Sequence, residues 1–445
     1  MEPLKTSTNR PAVIGHVFRT LRYRNFRLFF GGQLISLIGT WMQQIALAWL
    51  VYRLTSSVFL LGVVGFAAQL PMFLVSPFAG VLADRLNRHR VVIVTQALAM
   101  VQASILAVLT LTGSITVSHI ILLSVFLGLV NAFDMPTRQS FILEMVENKE
   151  DLANAIALNS SMFNGARLIG PSIAGVVIAA IGEGLCFLLN ALSFLAVIAA
   201  LLAMRLPARK REVSEQGVVR GLREGISYAF GFAPIKYILL MIALVSLIGM
   251  PYTILMPVIA RDILGGGPHT LGFLMGATGL GALTGAIYLA SRRSVVGLLT
   301  WIPIAAATFG AGLVAFSFSR SVELSVGLLF VVGFGMITLL ASSNTILQTV
   351  SDDDKRGRVM SFYSVSFMGM APFGSLMAGS LASRIGTPGT ILLCGVSCVI
   401  GSALFASRLS LLAEKVRPVY VKIGVIPEVG RSLGSVAELT APPED

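Results

Sequence analysis

The stretch LLGVVGFAAQLPMFLVSPFAGVLADRLNRHR, residues 60–90, carries no charge from 60 to 83 and then closes on Asp84, Arg85, Arg88, His89 and Arg90. A helix needs about 20 apolar residues to cross the hydrocarbon of a bilayer. The stretch therefore reads as a membrane-crossing helix followed by a tight, charged loop. Working outward from it, twelve apolar runs of this kind follow one another between residues 28 and 407, joined by short links rich in Gly and Pro. Of the 445 residues, 55% are hydrophobic and 12% charged; a soluble domain has about 25% charged residues, so this chain lacks the surface to face water. The expected class is an all-α, polytopic membrane protein.

The formal charge of +12 does not point to nucleic acid, because its distribution is sided. When the links are assigned alternately to two faces, 28 of the 33 basic residues fall on one face. The other face has only Arg53, Arg261, Arg320 and Arg384, and Arg167 is left inside a run. An excess of Lys and Arg marks the cytoplasmic side, so both termini are expected in the cytoplasm. The first apolar run is too long for a cleavable signal. Cys186, Cys394 and Cys398 all lie within runs; Cys394 and Cys398 share a helix face but lack His or acidic neighbours, which makes small buried side chains of them rather than a metal site,. No cofactor and no metal are expected.

The chain also repeats itself. SLIG occurs at 36–39 and at 246–249, and the same offset of 210 lays Gly62 on Gly272. GPSIAGVVIAAIG (170–182) overlays GSLMAGSLASRIG (374–386) without gaps at an offset of 204. Spans one to six thus match spans seven to twelve in order and orientation. Parallel halves of this kind are a transporter architecture, with the substrate near the midplane between them. The expected organisation is a cytoplasmic segment at 1–27, a six-helix half at 28–204, a basic cytoplasmic linker at 205–236, a second half at 237–409 and a cytoplasmic tail at 410–445 to which no structure is assigned. Within the linker, residues 217–232 can form a helix lying on the cytoplasmic face.

GVLADRLNRHR resembles the loop signature of the major facilitator superfamily between spans two and three. Gly80, Leu82, Asp84, Arg85, Arg88 and Arg90 match it, and Asn87 stands where the family has a second Gly, at a turn where Asn tolerates a left-handed backbone. The resemblance implies the superfamily's twelve-helix fold of two parallel halves. Asp84 is then expected to accept hydrogen bonds from the start of span eleven, and Arg85, Arg88 and Arg90 to pair with neighbouring acids, forming a breakable latch. GARLIGPSIAG (165–175) resembles the Gly-Pro motif of exporters in the superfamily, in which Gly165, Gly170, Pro171 and Gly175 give another helix a smooth face to pack on. With NFRLFFGGQLISLIGTWMQQIALAWLVYRLT (25–55), NAFDMPTRQ (131–139) and DDDKRGRVMS (352–361), the chain is similar to the branch that includes enterobactin exporters and macrolide efflux proteins.

No Gly-x-x-x-x-Gly-Lys-[Ser/Thr] occurs, so a P-loop does not drive transport and ATP is not an expected partner. Energy then comes from an ion gradient or from the substrate's own gradient, with protons as the expected partner beside a small-molecule substrate and membrane lipids. Ionisable residues inside a membrane are functional candidates. Asp134 and Arg167 lie at depths that let them meet, while Arg138, four residues after Asp134, competes across Pro136. Three roles remain open for Asp134: latch partner of Arg88 or Arg138, carrier of the coupling proton, or static partner of Arg167.

The superfamily architecture implies a cavity walled by spans one, four, seven and ten. Gln33, Leu37, Thr40 and Gln44 share a face of span one, with Gln43 and Trp41 on other faces, and Asn131 and Tyr252 stand as candidates opposite. Uncharged amides with aromatic neighbours suit an amphipathic organic molecule. The resulting expectation is a proton-coupled exporter of drug- or siderophore-like compounds in the bacterial inner membrane. The alternatives are an importer or a lipid or metal carrier of the same fold, or a non-transporting receptor. An enzyme is not expected, since no span carries His and acids at i, i+3 or i+4.

Overall fold

The computed structural model describes residues 19–142, 144–146, 148–205, 228–292, 294–352 and 355–423; at 77, 80, 81, 83–85, 149 and 153 it describes the backbone alone. The described chain is helical. The first six spans are α1 Arg24–Thr55, α2 Val58–Arg85, α3 Arg88–Leu111, α4 Val117–Ile142, α5 Leu152–Ile181 and α6 Glu183–Leu202. The second six are α7 Ala233–Ile263, α8 Pro268–Ala290, α9 Leu298–Phe318, α10 Val322–Val350, α11 Arg356–Ile385 and α12 Thr387–Ala406. All twelve are long and apolar enough to cross a membrane. Only helices and closed barrels satisfy every backbone polar group in lipid, which is why each apolar run folds this way.

The two sets of six pack alike. In the first, α2 packs on α4, and α3 packs on both α4 and α6; in the second, α8 packs on α10, and α9 on both α10 and α12. Between the sets the main contacts are α5 with α8 and α2 with α11, again equivalent pairs under the repeat. Their geometry depends on glycine. A Cβ at Gly62 would stand 2.7 Å from Ser375 O and 2.9 Å from Gly379 Cα. A Cβ at Gly272 would stand 2.8 Å from Pro171 O and 2.9 Å from Gly175 Cα. Gly62 and Gly272 are related by the offset of 210, and Gly175 and Gly379 by the offset of 204. The same backbone-to-backbone crossing is therefore made twice.

Both crossings lie in the half of the bundle away from the chain ends, hereafter the far end. There Tyr52, at the close of α1, hydrogen-bonds Asp262 at the close of α7, and Gln69 Nε2 donates to Ser375 Oγ at 3.2 Å. Contact between the sets extends to mid-bundle, where the rings of Phe73 and Phe373 meet edge-on at 5.9 Å. Toward the near end, uncharged polar side chains are exposed on α5 (Ser160, Ser161), α10 (Gln348) and α11 (Ser361, Ser364). Among the described residues, contacts between the two sets thus run from the far end to mid-bundle, and the space between their near-end faces is hereafter the cleft.

Two spans of the second set are irregular. Where Ser36–Gly39 continue α1 as ordinary α-helix, the second SLIG copy, Val245–Gly249, forms a π-helical turn followed by a 3-10 stretch over Met250–Leu255. Pro251 has no N–H to give the carbonyl of Leu247, and α11 occupies that place: a Cβ on Gly374 would stand 2.4 Å from Leu247 O. In α11, Val365–Gly369 is also π-helical. The Ser246 hydroxyl donates to Phe367 O and joins the two loosened turns.

At the near end, Asp151 gathers the segment before α1. Arg19 reaches it at 3.0 Å, Arg22 at 2.7 Å, and the Tyr23 hydroxyl donates to it at 2.6 Å. The Tyr23 bond, then Arg19 and Arg22, hold the Asp151 carboxyl below the usual carboxylate range against the opposing effect of burial,. A depressed carboxyl stabilises fully at neutral pH, and its contribution is lost only as pH falls through that depressed value.

Three expectations change. The tail is structured at its start, because Leu409–Lys422 forms helix α13 and buries Leu412, Val416 and Tyr420, four residues apart, against the bundle. Asn87 is not left-handed: its backbone is extended and its side chain caps α3 by accepting from Arg90 N at 3.2 Å,. The expected linker helix at 217–232 falls mostly outside the described residues, which resume at 228.

Gly272→Leu must part α5 from α8, since its Cβ would meet backbone on the other side. It should cost about 1–3 kcal/mol of stability and open the far end. With Ser172→Cys at that crossing as reporter, a membrane-impermeant maleimide added from the far face should label the Gly272→Leu protein several-fold faster. The three native cysteines are buried and contribute little background. Unchanged labelling would show that the crossing does not depend on the glycine.

Candidate functional site

Asp134 lies on α4, two turns from its near end, and is 3% exposed. A lone carboxylate at this depth would be costly, and three groups from two helices satisfy it. Thr95 Oγ1 and Gln96 Nε2 of α3 each donate to Oδ1 at 2.8 Å. Arg138 Nη2 pairs with Oδ2 at 3.1 Å from one turn along α4. Pro136 lies between the partners, yet α4 runs through it. Beside the proline, the Thr137 hydroxyl donates to Phe133 O at 2.7 Å and so supports the loosened ladder.

Around this pair is a cavity of about 70 Å³ between α1, α3, α4 and α6. Gln33, Thr40 and Asn131 line it together with Asp134. Drug-sized ligands occupy pockets of about 300–1,000 Å³, so this space suits waters or a proton path and not an organic substrate. Gln33 and Gln96 are 2% and 5% exposed, and the Oε1 atom of each lacks a hydrogen-bond partner among the described residues. Deeper in the same set, Asn190 Nδ2 donates to Gln43 Oε1 at 2.8 Å and Gln43 Nε2 to Gln102 Oε1 at 3.0 Å. This amide chain ties α6, α1 and α3 together.

The cavity corrects several expectations. Gln33, Leu37 and Thr40 do share a lined face, but Gln33 and Leu37 are buried within the first six-helix set and Thr40 stands at its exposed edge. Gln44 is exposed one turn beyond. Gln43, expected on another face, lines the same cavity, because α6 brings Asn190 round to it. Tyr252 is not opposite Asn131: it is fully buried in the irregular part of α7, its ring edge-on to Phe309 at 6.1 Å. Thr95, Gln96, Gln102 and Asn190 were missed altogether. Their signal, uncharged polar residues in the middle of spans three and six, was present in the sequence.

Arg167 and Asp134 do not meet. The Arg167 guanidinium lies 5.6 Å over the Trp41 ring and 3.8 Å from Met336 Sδ. It belongs to the space between the sets, while Asp134 is closed inside the first. Of the latch residues, Arg88 pairs with Glu144 at 2.8 Å within the first set, and Arg90 is exposed. The side chains of Asp84 and Arg85, and residue Gly80 beyond its backbone, lie outside the described residues. In the Gly-Pro motif, Gly170 packs on α1, with a Cβ there 2.5 Å from Trp41 Cβ, and Gly175 and Pro171 pack on α8. Among the described residues Gly165 packs on nothing: a Cβ there would have no neighbour within 4 Å.

Arg138→Gln would leave Asp134 buried without its cation. It should lower stability by about 3–5 kcal/mol, and adding Asp134→Asn should recover most of that. Thermal unfolding of the purified protein measures both. Equal loss in the single and double variants would show that the pair is not coupled.

Comparison with known proteins agrees with this architecture. Residues 16–418 match the family described as transmembrane secretion effectors. Among curated relatives, the Staphyloferrin A transporter of Staphylococcus aureus is 26% identical over 381 residues, covering 85% of this chain and 95% of its own. The multidrug efflux pump Tap of Mycolicibacterium fortuitum is 27% identical over 357 residues, covering 78% of this chain and 87% of its own. Among solved structures, a bacterial homologue of the human lysosomal transporter Spinster superposes with a TM-score of 0.71 at 14% identity, over 88% of this chain and 98% of that one. With twelve membrane helices in two like-packed sets, the chain is a multi-pass membrane transporter, and it belongs to the transmembrane secretion effector family of the major facilitator superfamily.

Proposed function

We propose that the protein is a secondary active exporter of small amphipathic organic compounds in the bacterial cytoplasmic membrane, exchanging them for protons through Asp134. The observation that carries this reading is the separation of two polar centres. The Asp134–Arg138 pair occupies a water-sized cavity inside one half, apart from the cleft between the halves. A proton on Asp134 cancels the charge that holds Arg138, so Thr95, Gln96 and Arg138 must rearrange. Because they sit on α3 and α4, the change is felt in the packing of the first half. A site that titrates without touching cargo can bias a rocking motion. The sided distribution of basic residues supports placing the near end, and with it both termini, in the cytoplasm,. The cleft would then load cargo from inside the cell. The relative named as a multidrug efflux pump supports the outward direction.

Proteoliposomes test the proposal with a fluorescent amphipathic probe, with and without an imposed pH gradient. Wild type should accumulate the probe against its own gradient. Asp134→Asn should abolish that accumulation while leaving probe-for-probe exchange within about twofold of wild type, the signature of lost coupling and not lost binding. Unchanged coupling in Asp134→Asn would remove Asp134 from the role. No gradient response in wild type, with exchange intact, would leave a facilitator.

A further inference from the structure

Among the described residues Arg167 has no carboxylate partner. It lies near the middle of the 30-residue α5, at the depth where the cleft ends. Among the described residues its contacts are the Met336 thioether at 3.8 Å and the Trp41 ring at 5.6 Å. A guanidinium offers five N–H donors, and a thioether is a weak acceptor for one of them. Among the described residues the buried acid Asp134 is matched differently, with three partners. Unpaired charge inside a membrane protein is kept where something else pairs with it.

A second polar group points to the same place. The Tyr252 hydroxyl is buried, has Thr278 beside it but no hydrogen bond of full geometry among the described residues, and is an electrostatic neighbour of Arg167. An acceptor brought between them would satisfy both. The approach is open. On α5, Asn164 and Ser160 precede Arg167 by one and two turns on the same face, part-exposed and exposed. On the facing wall, Gln348 Nε2 donates to Asn344 Oδ1 at 2.6 Å near the mouth of the cleft. Past these polar side chains the walls turn apolar and aromatic, with Trp41 and Phe163 edge-on at 5.8 Å and Met336 across from them.

We propose that Arg167 is the anion-binding residue of the transport path. The cargo carries a carboxylate or similar anionic group, which Arg167 and the Tyr252 hydroxyl take at the closed end of the cleft. Trp41, Phe163 and Met336 take its apolar body. This deepens the export reading above and rests on it for the word cargo. It does not rest on Asp134, which serves a separate centre. Arg167 also repels cations of the same shape, so the site sorts amphipathic molecules by charge.

Dansylglycine and dansylglycinamide, a carboxylate and its neutral amide, test this by fluorescence titration of the full-length protein in nanodiscs. Wild type should bind dansylglycine about tenfold more tightly than the amide, as one charge-assisted pair supplies. Arg167→Gln should remove the preference and leave amide binding unchanged, and Arg167→Lys should restore part of it. Tyr252→Phe, which keeps the ring and its packing, should lower the preference and nothing else. Equal binding of the two probes by wild type, failure to bind dansylglycine, or equal weakening of both probes in Arg167→Gln would overturn the proposal. Flux in proteoliposomes separates the two readings. Charge-selective binding without transport of either probe sinks export and leaves the site, while transport of both probes without selectivity sinks the site and leaves export.

Discussion

The arrangement depends on two places where helices touch backbone to backbone. Gly62 on Gly379 and Gly272 on Gly175 bring α2 against α11 and α5 against α8 at distances that no side chain allows. In lipid the hydrophobic effect does not drive helices together, so close van der Waals approach is much of what holds them. These crossings seal the far end, and sealing it decides what stands at the bottom of the cleft. Because α5 is pinned to α8 along Gly175, Pro171 and Leu168, the adjacent residue Arg167 sends its side chain to Trp41 of α1 and Met336 of α10.

Around those pivots the two halves have diverged. The first half keeps regular helices and buries a polar interior: Asp134 with its three partners, and the chain from Asn190 through Gln43 to Gln102. The second half has no such acid and instead has loosened backbone, the π turns at Val245–Gly249 and Val365–Gly369 joined through Ser246. One half thus holds its buried charge and the other its irregular backbone. A π turn holds an extra residue that can be passed along a helix, and such turns cluster at functional places.

Much of this was legible from sequence. The apolar runs gave the spans because the bilayer leaves a polar backbone no alternative to the helix. The offsets of 210 and 204 contained both glycine crossings before any coordinates. The first also contained the Tyr52–Asp262 contact, whose members differ by 210: equivalent positions of two parallel repeats touch only beside the axis relating them, and that signal was not used. What stayed hidden was which neighbour each face meets. A helical period puts Gln33 and Thr40 on one face, but it does not say that α3 and α6 close over that face, nor that Gln43 turns toward the same space. Asp134 and Arg167 were matched by depth alone, and depth does not distinguish the inside of one half from the gap between two.

Among the described residues Asp134 is the one carboxylate placed well away from the end of a span. A carrier with a single such group moves at most one proton through it per turnover, which bounds the work it can do. One elementary charge crossing a potential of about 100 mV is worth about 2.3 kcal/mol, enough to hold a neutral solute at a ratio of roughly fifty to one. A solute that leaves with a negative charge adds a second charge to the same turnover, and the attainable ratio is squared. The free arginine between the halves would then do more than select a molecule. By choosing the sign of what leaves, it would set how steep a gradient the membrane potential can sustain.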